Sequence, residues 1–284
     1  MPDHGATTPK PDPLKQNRLD METEAAKRPL PDGVHHEAVT LDGVPCEWTI
    51  PENAHADTCI VYAHGGAFCV GSVNTHRPLV SHIAKACGCA LLSVDYRLAP
   101  ENGFPAATDD VFTAYRAILN RYRHIIVMGD SAGGSLAAGV PLHARAAALP
   151  MPAGLVLLSP WLDLTCSARS FETNADSDPF MTHKGALFVV RGYLKKTDAA
   201  QPLASPLFAD LQGYPPTLLQ VSQQEVLLDD STRFAAAAES AGVDVQLSIW
   251  NGVYHVWHTL YDESQPARDA VAEIGRFVQR ITPH

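Results

Sequence analysis

The sequence predicts an α/β protein: a mostly parallel sheet of eight strands with helices on both faces. Three observations carry the expectation. Short apolar runs alternate with helical patterns over residues 58–161 and again over 217–281, as in βαβ units. The stretch His124 to Gly134 passes from an apolar run through Gly-Asp-Ser-Ala-Gly into an Ala-rich helical pattern. The chain has 284 residues, 46% of them hydrophobic, enough for one large core.

Residues 1–13 hold four prolines and little apolar content and read as a flexible tail. Residues 14–28, with Leu14, Leu19, Met21, Ala25 and Ala26, are compatible with a modest amphipathic helix. Val34–Leu41 and Val44–Ile50 read as strands joined by Asp42-Gly43, a strong hairpin signal. Thr58–Ala63 is a buried-type strand that runs into His64-Gly65-Gly66-Ala67-Phe68. The alternation continues with a helix over Pro78–Ala86, a strand over Ala90–Val94 and a helix over Ala106–Tyr122. A strand over Ile125–Met128, a helix over Ser131–Ala148 and a strand over Leu155–Ser159 follow. Residues 162–213 break the pattern; they are rich in Ser, Thr, Asp and Pro and hold one helical piece, Lys184–Lys195. Such an insertion is a common source of lids, or else a plain surface excursion. The pattern resumes with a strand over Thr217–Val221, a helix over Asp229–Ala241, a strand over Val243–Trp250 and a final amphipathic helix over Pro266–Ile281. Gly242 stands where a helix-ending glycine belongs.

Composition narrows the function classes. The net charge is −10 and no Lys/Arg-rich run exists, so nucleic-acid binding has no electrostatic footprint. No run approaches the roughly 18–20 apolar residues of a membrane span. Residues 1–30 lack the apolar core of a secretory signal, and a soluble cytoplasmic protein is expected. Six cysteines are present. Cys59, Cys69, Cys89 and Cys166 sit in or beside apolar or aromatic runs, as small buried hydrophobes do. Cys87 and Cys89 lack a second Cys pair or a His at ligand spacing, so no metal site is expected.

A serine at a strand–turn–helix junction is held out at the top of a sheet, over the positive end of the following helix. Ser131 occupies that place. A hydroxyl is a poor nucleophile at neutral pH and needs a base, which in turn needs an orienting acid; in this class of sheet the order is Ser, acid, His. His255, five residues past the last strand, is the candidate base, with His258 its competitor. His255 and His258 could also pair on a metal, but no further ligand cluster accompanies them. For the acid the candidates after Thr217–Val221 are Glu225, Asp229 and Asp230, with Asp163 a weaker alternative. Glu225 is favoured because it lies near the strand end, whereas Asp229 and Asp230 stand where a helix starts. Oxyanion donors are expected at Ala132, after the nucleophile, and at Gly66 and Ala67, with Gly65 shaping the turn and His64 tying the loop down. Phe68, Trp161, Phe180, Phe188, Tyr254 and Trp257 are candidates to line an apolar pocket; ordinary packing is the alternative for each.

With these motifs in order, the chain resembles the hormone-sensitive-lipase family of α/β-hydrolases, in its bacterial carboxylesterase (family IV) branch. The matching runs are His64-Gly65-Gly66-Ala67-Phe68, Asp95-Tyr96-Arg97-Leu98-Ala99-Pro100-Glu101, Gly129-Asp130-Ser131-Ala132-Gly133-Gly134 and Ser159-Pro160-Trp161-Leu162-Asp163. Glu225-Val226-Leu227-Leu228-Asp229-Asp230 and His255-Val256-Trp257 complete them, and the resemblance runs from about residue 30 to the end. It implies an α/β-hydrolase fold as one domain, with a helical cap from roughly 1–33 and 162–213 over a catalytic core of roughly 34–161 and 214–284. It also implies a cofactor-free esterase for short to medium acyl esters, with Asp163 and Tyr96–Glu101 structural, and allows a homodimer. Two departures stand out: Ala67 replaces the family's usual third glycine, and Glu225 its more frequent Asp. The Glu225–Asp230 and His255–His258 runs resemble a subgroup that includes monoterpene lactone hydrolases. Alternatives of other kinds are a non-catalytic ligand-binding member of the fold, an acyltransferase and an amidase.

Overall fold

Eight strands form one sheet in the order β1-β2-β4-β3-β5-β6-β7-β8. The structure is a computed structural model and describes residues 12–282. The strands are β1 (Val34–Leu41), β2 (Val44–Pro51), β3 (His55–Ala63), β4 (Cys89–Val94), β5 (His124–Asp130), β6 (Gly154–Leu158), β7 (Thr217–Ser222) and β8 (Val245–Trp250). Pairs β1–β2 and β2–β4 are antiparallel, and every pair from β4–β3 onward is parallel. Asp42 and Gly43, both at positive φ, close the β1–β2 hairpin with Leu41 opposite Val44.

Helices cover both faces because the strands are apolar on both. Cys59, Val61, Ile125, Val127, Leu155 and Leu157 point to one side, where α3 (Ala106–Ala117), α4 (Ala132–Ala146) and α7 (Leu228–Ser240) pack. Their neighbours Ile60, Tyr62, Ile126, Met128, Val156 and Leu158 point to the other, against α2 (Val73–Cys87) and α8 (Gln265–Ile281). This is the two-residue period of a strand read in three dimensions.

Several boundaries differ from the sequence expectation for physical reasons. Helix α2 starts five residues before Pro78, because Ser72 and Thr75 form a reciprocal capping box and the proline falls inside the helix. Helix α3 stops at Ala117, short of Tyr122. The expected tail lies, for residues 1–11, outside the described residues; Asp12 caps α1 (Pro13–Ala25) by accepting from the Leu14 N–H at 3.0 Å. An apolar stripe does not dock α1, since Leu19 is exposed. Arg18 and Glu22 hold it instead. Segment 162–213 lies outside the sheet and carries α5 (Ser170–Thr173), α6 (His183–Leu194) and a 3-10 turn at Pro206–Phe208. All six cysteines are free, and all but Cys69 are buried. Among the described residues no helix is long and apolar enough to cross a membrane.

Candidate active site

Three loops at the carboxyl edge of the parallel strands bring Ser131, Glu225 and His255 together. Ser131 follows β5 and precedes α4, with φ 51° and ψ −121°. This is a sparsely populated backbone region that persists only where neighbours enforce it. They do so by hydrogen bonds: the Ser131 N–H donates to Leu158 O at 2.9 Å, and Ser131 O accepts from the Trp161 N–H at 2.9 Å. The turn also needs its glycines. A Cβ on Gly133 would lie 2.1 Å from Ala63 O, so strand β3 excludes any side chain there.

A continuous hydrogen-bonded line crosses the site. His255 Nε2 lies 2.9 Å from Ser131 Oγ, and His255 Nδ1 lies 2.5 Å from Glu225 Oε2. The carboxylate only accepts, so Nδ1 carries the imidazole proton and Nε2 accepts from the serine hydroxyl. Glu225 is fully buried, while the His255 side chain is 14% exposed, so His255 alone of the two meets solvent. Burial opposes protonation of His255; the charge and hydrogen bond of Glu225 outweigh it and raise the imidazole above its ordinary value.

The second oxygen of Glu225 is also engaged. Oε1 accepts from Ser159 Oγ at 2.8 Å and from the Ser222 N–H at 2.6 Å. Ser159 Oγ accepts in turn from the Val256 N–H at 3.2 Å, tying Glu225 to the residue after His255. Neither role was legible in sequence: Ser159 uses a hydroxyl with many possible partners, and Ser222 uses its backbone N–H, which any residue there except proline would supply.

The competing residues have other tasks. Asp229 accepts from the Ser170 N–H at 3.0 Å, and Asp230 from the N–H groups of Leu162 at 2.8 Å and Asp163 at 2.9 Å. Asp163 is buried among Thr165, Ser167 and Arg233. His258 lies in a 3-10 turn at Trp257–Leu260, buried, with Nε2 2.9 Å from Gln220 Oε1. Burial brings its pKa down to about 3. Among the described residues no group of three or more His, Cys, Asp or Glu side chains is placed to hold a metal ion.

The loop after β3 is held from two sides. The Gly65 N–H donates to Asp130 Oδ1 at 2.9 Å, so it is committed inside the protein rather than free for an oxyanion. His64 ties the loop down: Nδ1 is 2.7 Å from Gly65 O, and its ring stacks on Tyr96 with centroids 4.2 Å apart. From the other side Arg18 of α1 donates to Cys69 O at 2.8 Å and Ala99 O at 2.9 Å, and pairs with Glu101 through two 2.9 Å bonds. Among the described residues no protein acceptor engages the N–H groups of Gly66 and Ala67. Ala132 opens α4, where a first-turn N–H lacks an acceptor within its own helix.

The six aromatic residues separate. Trp161 is fully buried, and Phe68 stacks on Tyr193 of α6 with centroids 3.9 Å apart; these rings lock the loop after β3 to the insertion. Trp257 packs against Trp250 and α8, the packing alternative named for it. Phe180 and Tyr254 are exposed and meet edge to face at 6.2 Å, with Tyr254 adjoining His255. Phe188 is exposed on α6, away from any aromatic partner among the described residues.

Comparison with known proteins identifies the family. A family described as alpha/beta hydrolase fold matches residues 60–259. An acetyl-hydrolase of Streptomyces hygroscopicus is 36% identical over 249 residues, 87% of this chain and 83% of that protein. An esterase of Acinetobacter venetianus is 39% identical over 249 residues, 86% and 81% of the two chains. The crystal structure of an esterase from the bacterial hormone-sensitive lipase family superposes with TM-score 0.92 at 40% identity, covering 97% of this chain and 93% of that one. The fold, the hydrogen-bonded serine and these relatives together establish that the chain belongs to the bacterial hormone-sensitive-lipase family of α/β-hydrolases, a family of serine-type ester hydrolases.

Proposed function

We propose that the chain hydrolyses short to medium acyl esters through a Ser131–His255–Glu225 triad and an acyl-enzyme. The observation that carries this reading is the unbroken line from Glu225 through His255 to Ser131 Oγ. As Ser131 Oγ attacks the ester carbonyl, His255 Nε2 takes its proton, and Glu225 stabilises the imidazolium. The carbonyl oxygen becomes negative within reach of the Gly66, Ala67 and Ala132 N–H groups, each such donor contributing on the order of 10²–10³-fold in rate. Collapse of the tetrahedral species expels the alcohol, which receives the proton from His255. Water then repeats the sequence in reverse: His255 takes its proton, the hydroxide equivalent attacks the acyl carbonyl, and Ser131 Oγ leaves with the proton returned.

Helix α1 and segment 162–213 serve as the cap. Their support is the contact each makes with the oxyanion loop, through Arg18 and through Tyr193. The Ala67 methyl, placed where a glycine is usual, narrows the acyl side. A lactone is an internal ester and would follow the same steps; the sequence likeness of the Glu225–Asp230 run supports that second substrate class.

Intact-mass spectrometry after treatment with an organophosphate tests the reading. One adduct on Ser131, absent in Ser131→Ala, supports it and excludes a purely ligand-binding role. An unlabelled wild-type protein overturns it. Product analysis with competing alcohols or amines separates hydrolysis from acyl transfer, and a panel of esters, lactones and amides gives the substrate class.

A further inference from the structure

The acid loop, residues 223–229, is covered by one stretch of the insertion, which shares buried apolar packing with it through Phe171, Val226 and Leu227 and adds a row of hydrogen bonds. Asn174 Nδ2 donates to Gln223 O and to Glu225 O, both at 2.9 Å. Ser177 Oγ donates to Gln224 O at 2.8 Å, and Ser170 Oγ to Val226 O at 2.5 Å. In the opposite sense Asp178 Oδ2 accepts from the Val226 N–H at 2.9 Å. Four successive carbonyls, on either side of and including that of Glu225, therefore end on side chains of residues 170–177. The Asn174 amide has only one productive orientation, because its oxygen would repel both carbonyls.

A glutamate in the acid position needs such a brace. It has one more rotatable bond than aspartate, so more freedom must be removed to fix its carboxylate against His255. Ser159 and Ser222 fix the carboxylate end. The backbone end is fixed from the insertion. We propose that Asn174 is a positioning residue for the reaction, bridging the carbonyls of Gln223 and Glu225 so that the acid stays in register with His255. This rests on the triad reading above. It makes residues 170–178 a fixed strut for the acid, and it confines any lid movement to the insertion beyond them.

Steady-state kinetics of wild type, Asn174→Ala and Ser177→Ala on p-nitrophenyl butyrate across pH, with thermal melting, test the proposal. Ser131→Ala serves as control. For Asn174→Ala the expected result is a fall in kcat of about 10- to 100-fold, the usual scale of a sub-ångström to 1 Å misplacement. KM should be nearly unchanged. The acid limb of kcat/KM should move to lower pH, because a loosened Glu225 no longer holds His255 up. Ser177 is exposed, so Ser177→Ala will fold, and it should show the same changes in smaller measure. A folded Asn174→Ala with wild-type kcat and wild-type pH limb overturns the proposal, even if its melting temperature falls, since that is a purely structural role. Should Asn174→Ala not fold, an unchanged limb in Ser177→Ala overturns it. A wild type without ester turnover, or an active Ser131→Ala, overturns the triad reading and this proposal together. An insensitive Asn174→Ala beside a dead Ser131→Ala removes this proposal alone.

Discussion

Asp130 Oδ1 accepts the Gly65 N–H at 2.9 Å, so the residue before the proposed nucleophile holds the loop that supplies the proposed oxyanion donors. The same oxygen accepts from Tyr62 Oη at 2.7 Å, and His76 Nε2 lies 3.4 Å from Oδ2. Burial opposes ionisation of Asp130, but His76 and the Tyr62 hydrogen bond hold its pKa down at about 2. Asp130→Ala leaves the buried Gly65 N–H and Tyr62 hydroxyl unpaired, at about 1–3 kcal/mol per group. That cost falls on stability; kcat should fall as well, to the extent that the loosened loop misplaces the proposed donors. Organophosphate labelling of Ser131 should slow in proportion, and unchanged labelling and turnover would show that the anchor is dispensable.

The pH dependence follows from Glu225. His255 must be neutral to act as base, and its pKa is raised, so kcat/KM should climb through a pKa above the ordinary 6.5. Glu225→Gln removes the charge that raises it and leaves the burial that lowers it. The acid limb should therefore shift to lower pH while kcat falls, on the order of 10³–10⁴-fold. Glu225→Asp keeps the charge but withdraws it, and should fall between the two. Asp229→Ala should cost at most about tenfold, the scale of one lost hydrogen bond. A larger loss at Asp229 than at Glu225 would reassign the acid.

Ser159 is fully buried and links the proposed acid, Glu225, to the backbone after the proposed base, His255. Ser159→Ala removes one of the two donors to Glu225 Oε1 and leaves the buried Val256 N–H unpaired. A stability loss of about 1–3 kcal/mol is expected, with a modest fall in kcat. Denaturant melts and kinetics on one preparation check both.

Two adjacent positions of the proposed oxyanion loop should respond in opposite ways. Gly66 has φ +119°, and a Cβ there would lie 2.1 Å from Val70 O, so Gly66→Ala should abolish turnover. Ala67 already sits at φ 52°, a left-handed conformation that costs an alanine roughly 1–2 kcal/mol. Ala67→Gly relieves that cost and removes the methyl. The variant should remain active and accept bulkier acyl groups, measured as the ratio of kcat/KM for long over short p-nitrophenyl esters.

Local pattern made the sheet and the serine turn legible. The apolar runs had the length of strands, Asp42-Gly43 carried its own turn chemistry, and the elbow glycines announced a close approach later seen against Ala63. Chain order restricts where a base and an acid can lie, which nominated His255 and Glu225, and the structure places both in hydrogen-bond reach of one another, with His255 on Ser131. Their supports were not legible. Ser159, Asp130 and Asn174 act on partners 66, 65 and 51 positions away, and nothing in the local sequence marks those pairings. For Trp257 the local sequence left pocket wall and core packing open. An aromatic beside the base looks like a pocket wall in one dimension, but the 3-10 turn rotates it into the packing against α8.

Hydrolysis of p-nitrophenyl butyrate by wild type and Ser131→Ala, measured side by side with melting temperatures for both, is the most direct test. The expected result is turnover by the wild type and a loss on the order of 10⁶-fold in the variant, the scale for removing a triad serine, with the fold intact. A folded Ser131→Ala that retains wild-type turnover would contradict the assignment of Ser131 as the nucleophile.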